Sequence, residues 1–355
     1  MGGATHVWGK ERVIHWLMQA QRASGLLEPE LVAFAPALVV DVLREAGFPV
    51  TVLTERHQTL ALGAITRLCA TLREKAPVIL HTHGYKANIL ARIARVMGAP
   101  MMRLISTSHG FDNYAPRLAW YNALDRTTGY LSTICTVTDP RMAQKFPPGV
   151  RVKYIANALP DAPAFSASQR EQGRAQYRFA AHECVVGMLH RLIAQKGVAE
   201  FLTAARLLQE WGRNDIIFAL AGDGPLLADV QCALESLRSL RYVGYVDPPD
   251  EYLAALDVFI QPSRSEGLSL ALLQAMRAGR PIIATRVGAT EEVLTDAVDA
   301  LLIAAQDPHA LALAIIRLAD ERAYAAQLAE RARQRFLDHF QIERQHHDFL
   351  ALYTQ

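Results

Sequence analysis

Residues 256–288, LDVFIQPSRSEGLSLALLQAMRAGRPIIATRVG, bring together an acid, a helix start and a side-chain amide. Glu266 lies in the polar loop 263–267. A helix is predicted over 268–278 from good helix formers, with Gly279 and Pro281 to stop it. Its first amides, near Ser269 and Leu270, have no partner inside a helix. They carry partial positive charge and suit a phosphate. A carboxylate just before them would repel that phosphate, so the sensible partner of Glu266 is a neutral hydroxyl. Gln274 lies one turn beyond Leu270, and helical side chains lean toward the N-terminus. The pattern suits a ligand with both phosphate and hydroxyls, such as a nucleotide sugar. It also suits an ordinary strand–helix–strand unit with a solvated Glu and Gln, and spacing alone does not separate the two.

Other stretches offer chemistry. Arg191 and Lys196, five residues apart in HRLIAQKG, can both reach a diphosphate, one as a fork and the other as a point charge. They also read as two solvated cations. Gly222 opens a tight glycine turn, GDGP. His81, His83 and Lys86 precede or open a helix in HTHGYKA, and His109 ends the strand of LISTSHG. The HxH pair lacks a third ligand at a useful spacing, so no metal is expected. His83 reads equally as a strand-end histidine bonded to backbone. The glycines Gly2, Gly3 and Gly9 could let a ligand approach bare backbone; a loose terminus would look the same.

These residues need a scaffold, and the chain supplies alternating strands and helices. Strands are predicted at 30–36, 49–54, 77–81, 131–138 and 152–156. Helices are predicted at 11–23, 37–47, 58–74 and 117–129. A stretch rich in Ala, Ser, Pro and Gln, 160–178, reads as a hinge. Beyond it come a strand at 183–188, a helix at 198–210, a strand at 216–220 and a strand from Arg241. A short helix at 250–256 leads into the stretch described first. Helices are predicted at 310–319, 322–336 and 342–353. Such alternation predicts parallel sheets with right-handed crossovers, and ligands beyond the carboxyl ends of the strands.

Composition narrows the class. A chain of 355 residues has room for two domains, and 51% hydrophobic with 20% charged residues is globular. A net charge of +2 gives no nucleic-acid footprint. No apolar run reaches the roughly eighteen residues of a membrane span, and no secretory signal is expected. Cys69, Cys135, Cys184 and Cys232 form no CxxC pair and read as core thiols in a reducing compartment. No GxGxxG follows a strand in the manner of a dinucleotide oxidoreductase.

The segment PSRSEGLSLALLQAMRAGRPIIATRVGATEEV resembles the donor-site signature of the retaining glycosyltransferases of family 4. HTHGYKA, SHG, HRLIAQKG and GDGP resemble further motifs of that family, and those of the second half of the chain stand in the family's order. The resemblance implies the GT-B fold, two Rossmann-like domains with parallel sheets facing a central cleft. It implies an acceptor-binding domain over 1–160 with a short or missing first strand, a nucleotide-sugar domain over 161–338, and a last helix over 339–355 that packs back on the first. Either the start is truncated or its first strand is shortened. By the same resemblance, Arg191, Lys196, Gly222, Ser269, Leu270, Gln274 and Val243 serve the donor. Gly3, Gly9, His83 and Lys86 line the acceptor side or its glycine loop. His109 and Glu266 are the catalytic groups. No cofactor, metal or protein nucleophile is implied. The partners would be a nucleotide-sugar donor and a glycan or lipid-linked acceptor, in bacterial polysaccharide or lipopolysaccharide synthesis. The place would be the cytoplasm, with room for peripheral contact at the inner membrane. The family has a second acid where this chain has Gln274. An inactive nucleotide-sugar binder and a GT-B-like epimerase are the alternatives, the latter needing an acid/base set that the sequence does not display.

Overall fold

A computed structural model describes residues 9–54, 62–99, 103–110 and 116–354, so Gly2, Gly3 and any shortened first strand before residue 9 lie outside the described residues. The chain divides into two units, Met1–Pro160 with Ile342–Gln355, and Asp161–Gln341.

In the first unit, β1 (Leu31–Ala33) pairs in parallel with β2 (Val50–Val52). A second parallel sheet runs in the order β3 (Ile79–His83), β4 (Arg103–Ser108), β5 (Ile134–Val137) and β6 (Val152–Tyr154). The strand expected at 77–81 starts two residues later, and His83 pairs with Thr107 in the ladder. Both histidines therefore belong to β3, and Lys86 is the second residue of the helix Tyr85–Val96. Gly9 is not part of a preceding turn: it opens the helix Gly9–Ala23. The strand expected from 131 begins only at Ile134, because Gly129–Leu131 forms a 3-10 turn. Gly129 fits there for want of a side chain, since a Cβ would lie 2.8 Å from Val150 Cγ1. The helix Ile342–Thr354 contributes Ile342, Phe349, Leu352 and Tyr353 to a core with Leu17, Ile105 and Ile155.

The second unit holds one six-stranded parallel sheet, in the order β12 (Leu301–Ile303), β11 (Ile282–Thr285), β10 (Val258–Gln261), β7 (Cys184–Leu189), β8 (Ile216–Ala221) and β9 (Leu240–Gly244). This is the doubly wound order, with the topological switch between β7 and β10, where such sheets bind ligands beyond their carboxyl ends. The strands are buried on both faces, as parallel strands covered by helices must be.

Part of the expected hinge is ordered structure of this unit. Ala167–Gln176 is a helix with a capping box between Ser166 and Gln169. Its bare Gly173 lies against the helix Asp250–Ala255, where a Cβ would come within 2.3 Å of the Glu251 carbonyl oxygen. The helix Leu227–Ser236 and β12 were not foreseen from the sequence. Cys69, Cys135 and Cys184 are buried as expected, but Cys232 is exposed on that helix.

Candidate active site

The loops after β7 and β10 meet at the switch point. After β7 come His190 and Arg191, then a 3-10 turn Ala194–Lys196, then Gly197 in the left-handed conformation at the head of the helix Val198–Glu210. Gly197 lets the loop close down on the next strand, since a Cβ there would lie 1.9 Å from the Pro262 carbonyl oxygen. The Arg264 amide donates to the Gln195 carbonyl at 2.7 Å, and its guanidinium donates to Glu200 at 2.6 Å. From the other side, the Thr285 hydroxyl donates to the Ser263 carbonyl at 2.5 Å. Gly288, with φ +57°, has room for no Cβ against the Glu266 carbonyl oxygen. The loop that carries Glu266 is thus held by backbone and side chains on three sides.

These restraints bring Lys196 and Glu266 together. The Lys196 ammonium donates to both carboxylate oxygens, at 2.6 and 2.7 Å, and the Ser263 hydroxyl donates to Oε1 at 2.7 Å. The Glu266 side chain is 5% exposed and that of Lys196 23%. An ammonium has three N–H donors and a carboxylate roughly four acceptor positions. Each partner therefore keeps capacity toward a ligand: one cationic N–H for a phosphate oxygen, one acceptor position for a hydroxyl.

The helix beside them is Leu270–Arg277, two residues shorter at its start than expected. Ser269 lies outside it as N-cap, its hydroxyl accepting from the Leu272 amide. The amides of Leu270 and Ala271 stay without an intrahelical partner by helix geometry. Gln274 is buried on this helix, 7% exposed. Arg191 is exposed on the loop after β7. Gly222, at φ +142°, packs its bare face on the His190 carbonyl, where a Cβ would lie at 1.8 Å. Its amide donates to Gly244 at 2.8 Å, the residue after Val243 at the end of β9.

Sequence reasoning passed over His190 itself. It is 8% exposed, and its Nε2 has no hydrogen-bond partner. Burial, and then the charge of Lys196, holds it neutral, well below the usual histidine range. The signal was its place, one residue before Arg191. Gln261, the last residue of β10, also buries a carbonyl oxygen without a partner.

In the first unit, the ends of β3 and β4 bring His83 and His109 together, Nδ1 to Nε2 at 3.0 Å with rings stacked at 5.3 Å. His81 lies deeper. Its nitrogens meet the Tyr353 hydroxyl at 2.8 Å and the Thr107 hydroxyl at 2.7 Å. Burial, with a smaller contribution from His109, pushes it down to about 3, so it stays neutral and structural. Beneath them Asp125 pairs with Arg92 at 2.8 Å, both fully buried, and accepts from Ser108 and Asn88. That network fixes the ends of β3 and β4 and was not read from the sequence. Lys86 lies on the following helix, its ammonium 6.0 Å from the centre of the Tyr85 ring. Among the described residues, no group of three or more His, Cys, Asp or Glu side chains is placed to hold a metal ion.

Residues 9–158 match the family model of the glycosyl transferase 4-like domain, and 183–321 that of glycosyl transferases group 1. The chain is 26% identical over 285 residues to UDP-Gal:alpha-D-GlcNAc-diphosphoundecaprenol alpha-1,3-galactosyltransferase of Escherichia coli, covering 74% of this chain and 71% of that protein. It is 27% identical to 2-deoxystreptamine glucosyltransferase of Streptomyces kanamyceticus, covering 82% and 81%. The crystal structure of Anabaena HepE in complex with UDP-glucose superposes with a TM-score of 0.84 at 18% identity, over 99% of this chain and 98% of that one. With both units matched and the fold shared from end to end, the chain belongs to the group 1, family-4-type glycosyltransferases of GT-B fold.

Proposed function

We propose that the protein transfers a sugar from a nucleotide-diphosphate sugar to a glycan or lipid-linked acceptor, with retention at the anomeric carbon and without a metal ion. The observation that carries this reading is the Lys196–Glu266 pair beside the start of Leu270–Arg277, at the switch point of a doubly wound sheet. Lys196, Arg191 and the first helix amides supply fixed positive charge for the diphosphate as it leaves, which is electrostatic stabilisation by preorganised groups. The remaining acceptor position of Glu266 takes a hydroxyl of the sugar. Val243 and Gly222 belong to the donor side, and His83, His109, Lys86 and the glycines at 3 and 9 to the acceptor and the transferred sugar. No side chain is needed as general base, since a phosphate oxygen of the leaving group can receive the acceptor's proton, and attack of the acceptor hydroxyl on the face from which the diphosphate departs retains the configuration without a protein nucleophile.

Uridine is the favoured base, because the Escherichia coli relative is named for UDP-Gal and the Anabaena protein was crystallised with UDP-glucose. Lipopolysaccharide or polysaccharide synthesis is the setting that the relatives' names support, among them the LpsB mannosyltransferase of Rhizobium meliloti. A lipid-linked acceptor would place the reaction at a membrane surface. No helix among the described residues is long and apolar enough to cross one.

The first test is a melting-temperature series with UDP, GDP, ADP and their sugar conjugates, with and without EDTA. A ligand that binds the folded state alone must raise the melting temperature. A rise with UDP that EDTA leaves in place is expected; a rise that EDTA abolishes refutes metal independence. The anomeric configuration of the product, read by NMR, decides retention, and an inverted product refutes it.

A further inference from the structure

Buried polar atoms are rarely left unpaired, and each such atom calls for an explanation. His190 buries an unpaired Nε2 at a particular place. It is the first residue beyond β7, one of the two strands that flank the switch point. β7 and β10 pair Val186 with Val258 and Gly187 with Phe259, and continuing that register sets His190 beside Pro262. Its ring lies 6.2 Å from that of Phe259 on β10. Its backbone is held from the other side, where Gly222 packs against its carbonyl and the His190 amide donates to Ala221. The imidazole thus leaves the loop that carries Lys196 on the side of β10, close enough to Lys196 to feel its charge.

We propose that His190 is a further donor-binding residue, whose Nε2–H donates to an oxygen of the nucleotide's diphosphate beside Lys196. In the neutral tautomer protonated at Nε2 the ring is a hydrogen-bond donor, which a phosphate oxygen accepts and a cation such as Lys196 does not. The ligand-free protein carries the cost of a buried, unmade bond, and the diphosphate satisfies it. This inference rests on the proposed nucleotide-sugar function.

The experiment compares His190→Met and His190→Gln with the wild-type protein, by UDP and UDP-glucose titration calorimetry and by melting of the ligand-free chain. Met fills a similar volume with no polar atom, and the Gln amide nitrogen can stand where Nε2 stood. His190→Met should melt no lower than wild type without ligand and bind UDP about tenfold less tightly or worse. His190→Gln should bind UDP to within about threefold of wild type. Unchanged UDP affinity in both variants overturns the inference. So does a loss in His190→Met that His190→Gln fails to restore, and so does a loss confined to UDP-glucose, which would make the partner a sugar hydroxyl. Wild-type protein that binds no nucleoside diphosphate refutes the proposed function itself, an outcome that is read before either variant is compared.

Discussion

Glu266 and Lys196 were each read from the sequence as ligand groups, one for hydroxyls and one for phosphate. The structure adds that they are partners, with Ser263 completing the carboxylate's shell. The pairing keeps both charges in place before any ligand arrives, so neither has to be recruited. On the proposed reading, Gln274 stands where the family pattern has its second acid. A carbonyl at Gln274 still accepts hydrogen bonds, at a cost of about 1 kcal/mol against a charged acceptor. Gln274→Glu should therefore fold and hold or raise UDP affinity, measured by calorimetry at neutral pH. A tenfold loss would mean that the buried position cannot carry a charge, and that Gln274 does not do the work of the family's second acid.

Among the elements, the helix Ala167–Gln176 shows best what the sequence could and could not tell. Its buried face is Gly173 and Arg174, not a stripe of Leu or Ile, so hydrophobic periodicity is silent there and composition suggests a linker. What holds it is Asp257, at the start of β10. Arg170 and Arg174 reach its carboxylate at 2.7 and 3.2 Å, the Val185 amide donates to it at 2.8 Å, and Arg322 approaches from solvent. Burial alone would raise this carboxyl; the Val185 amide and the arginines outweigh it and hold it below the usual carboxylate range. Asp257→Ala would leave Arg174, 8% exposed, without its counter-charge, at a cost of about 3 kcal/mol. The expected result is a lower denaturation midpoint of the second unit in urea, with an unchanged slope; a midpoint within error of wild type would show that the arginines find other acceptors. Strongly periodic elements behaved differently. Val198–Glu210 lies where its apolar spacing put it, and β7 and β8 were legible from their unbroken apolar runs. Two misplaced elements owe their fit to a contact distant in sequence: β3, shifted two residues by its ladder with β4, and the turn at Gly129, set by Val150. The candidate site was legible where charge and spacing coincide, at Lys196 and Glu266, which the structure brings together. It was not legible at His190, Ser263 or the Arg264–Glu200 pair, whose roles arise only once two loops meet.

On the scale of the whole molecule, the two units differ in how the chain builds them. The second is one continuous segment, Asp161–Gln341, with its own sheet and core. The first is discontinuous and is completed by Ile342–Gln355. That last segment is integral: Phe349, Leu352 and Tyr353 are buried among Leu17, Ile105 and Ile155, Gln345 donates to the Ala156 carbonyl at 2.6 Å, and Arg103 donates to the Leu352 carbonyl at 2.8 Å. The Tyr353 hydroxyl also meets His81 and Gln21. Burying each such apolar side chain is worth about 1.5–3 kcal/mol, so losing three of them and their polar contacts approaches the whole stability of a domain. If the donor residues named above are sufficient, they all lie in the uninterrupted unit. A chain ending at Gln341 should then lose or lower the calorimetric transition of the first unit while binding UDP to within about threefold of the full chain. Transfer activity should be lost with it. If instead UDP affinity falls with the first unit's transition, the donor is held by residues outside 161–341, and Lys196, Glu266 and Leu270–Arg277 are not enough to bind it.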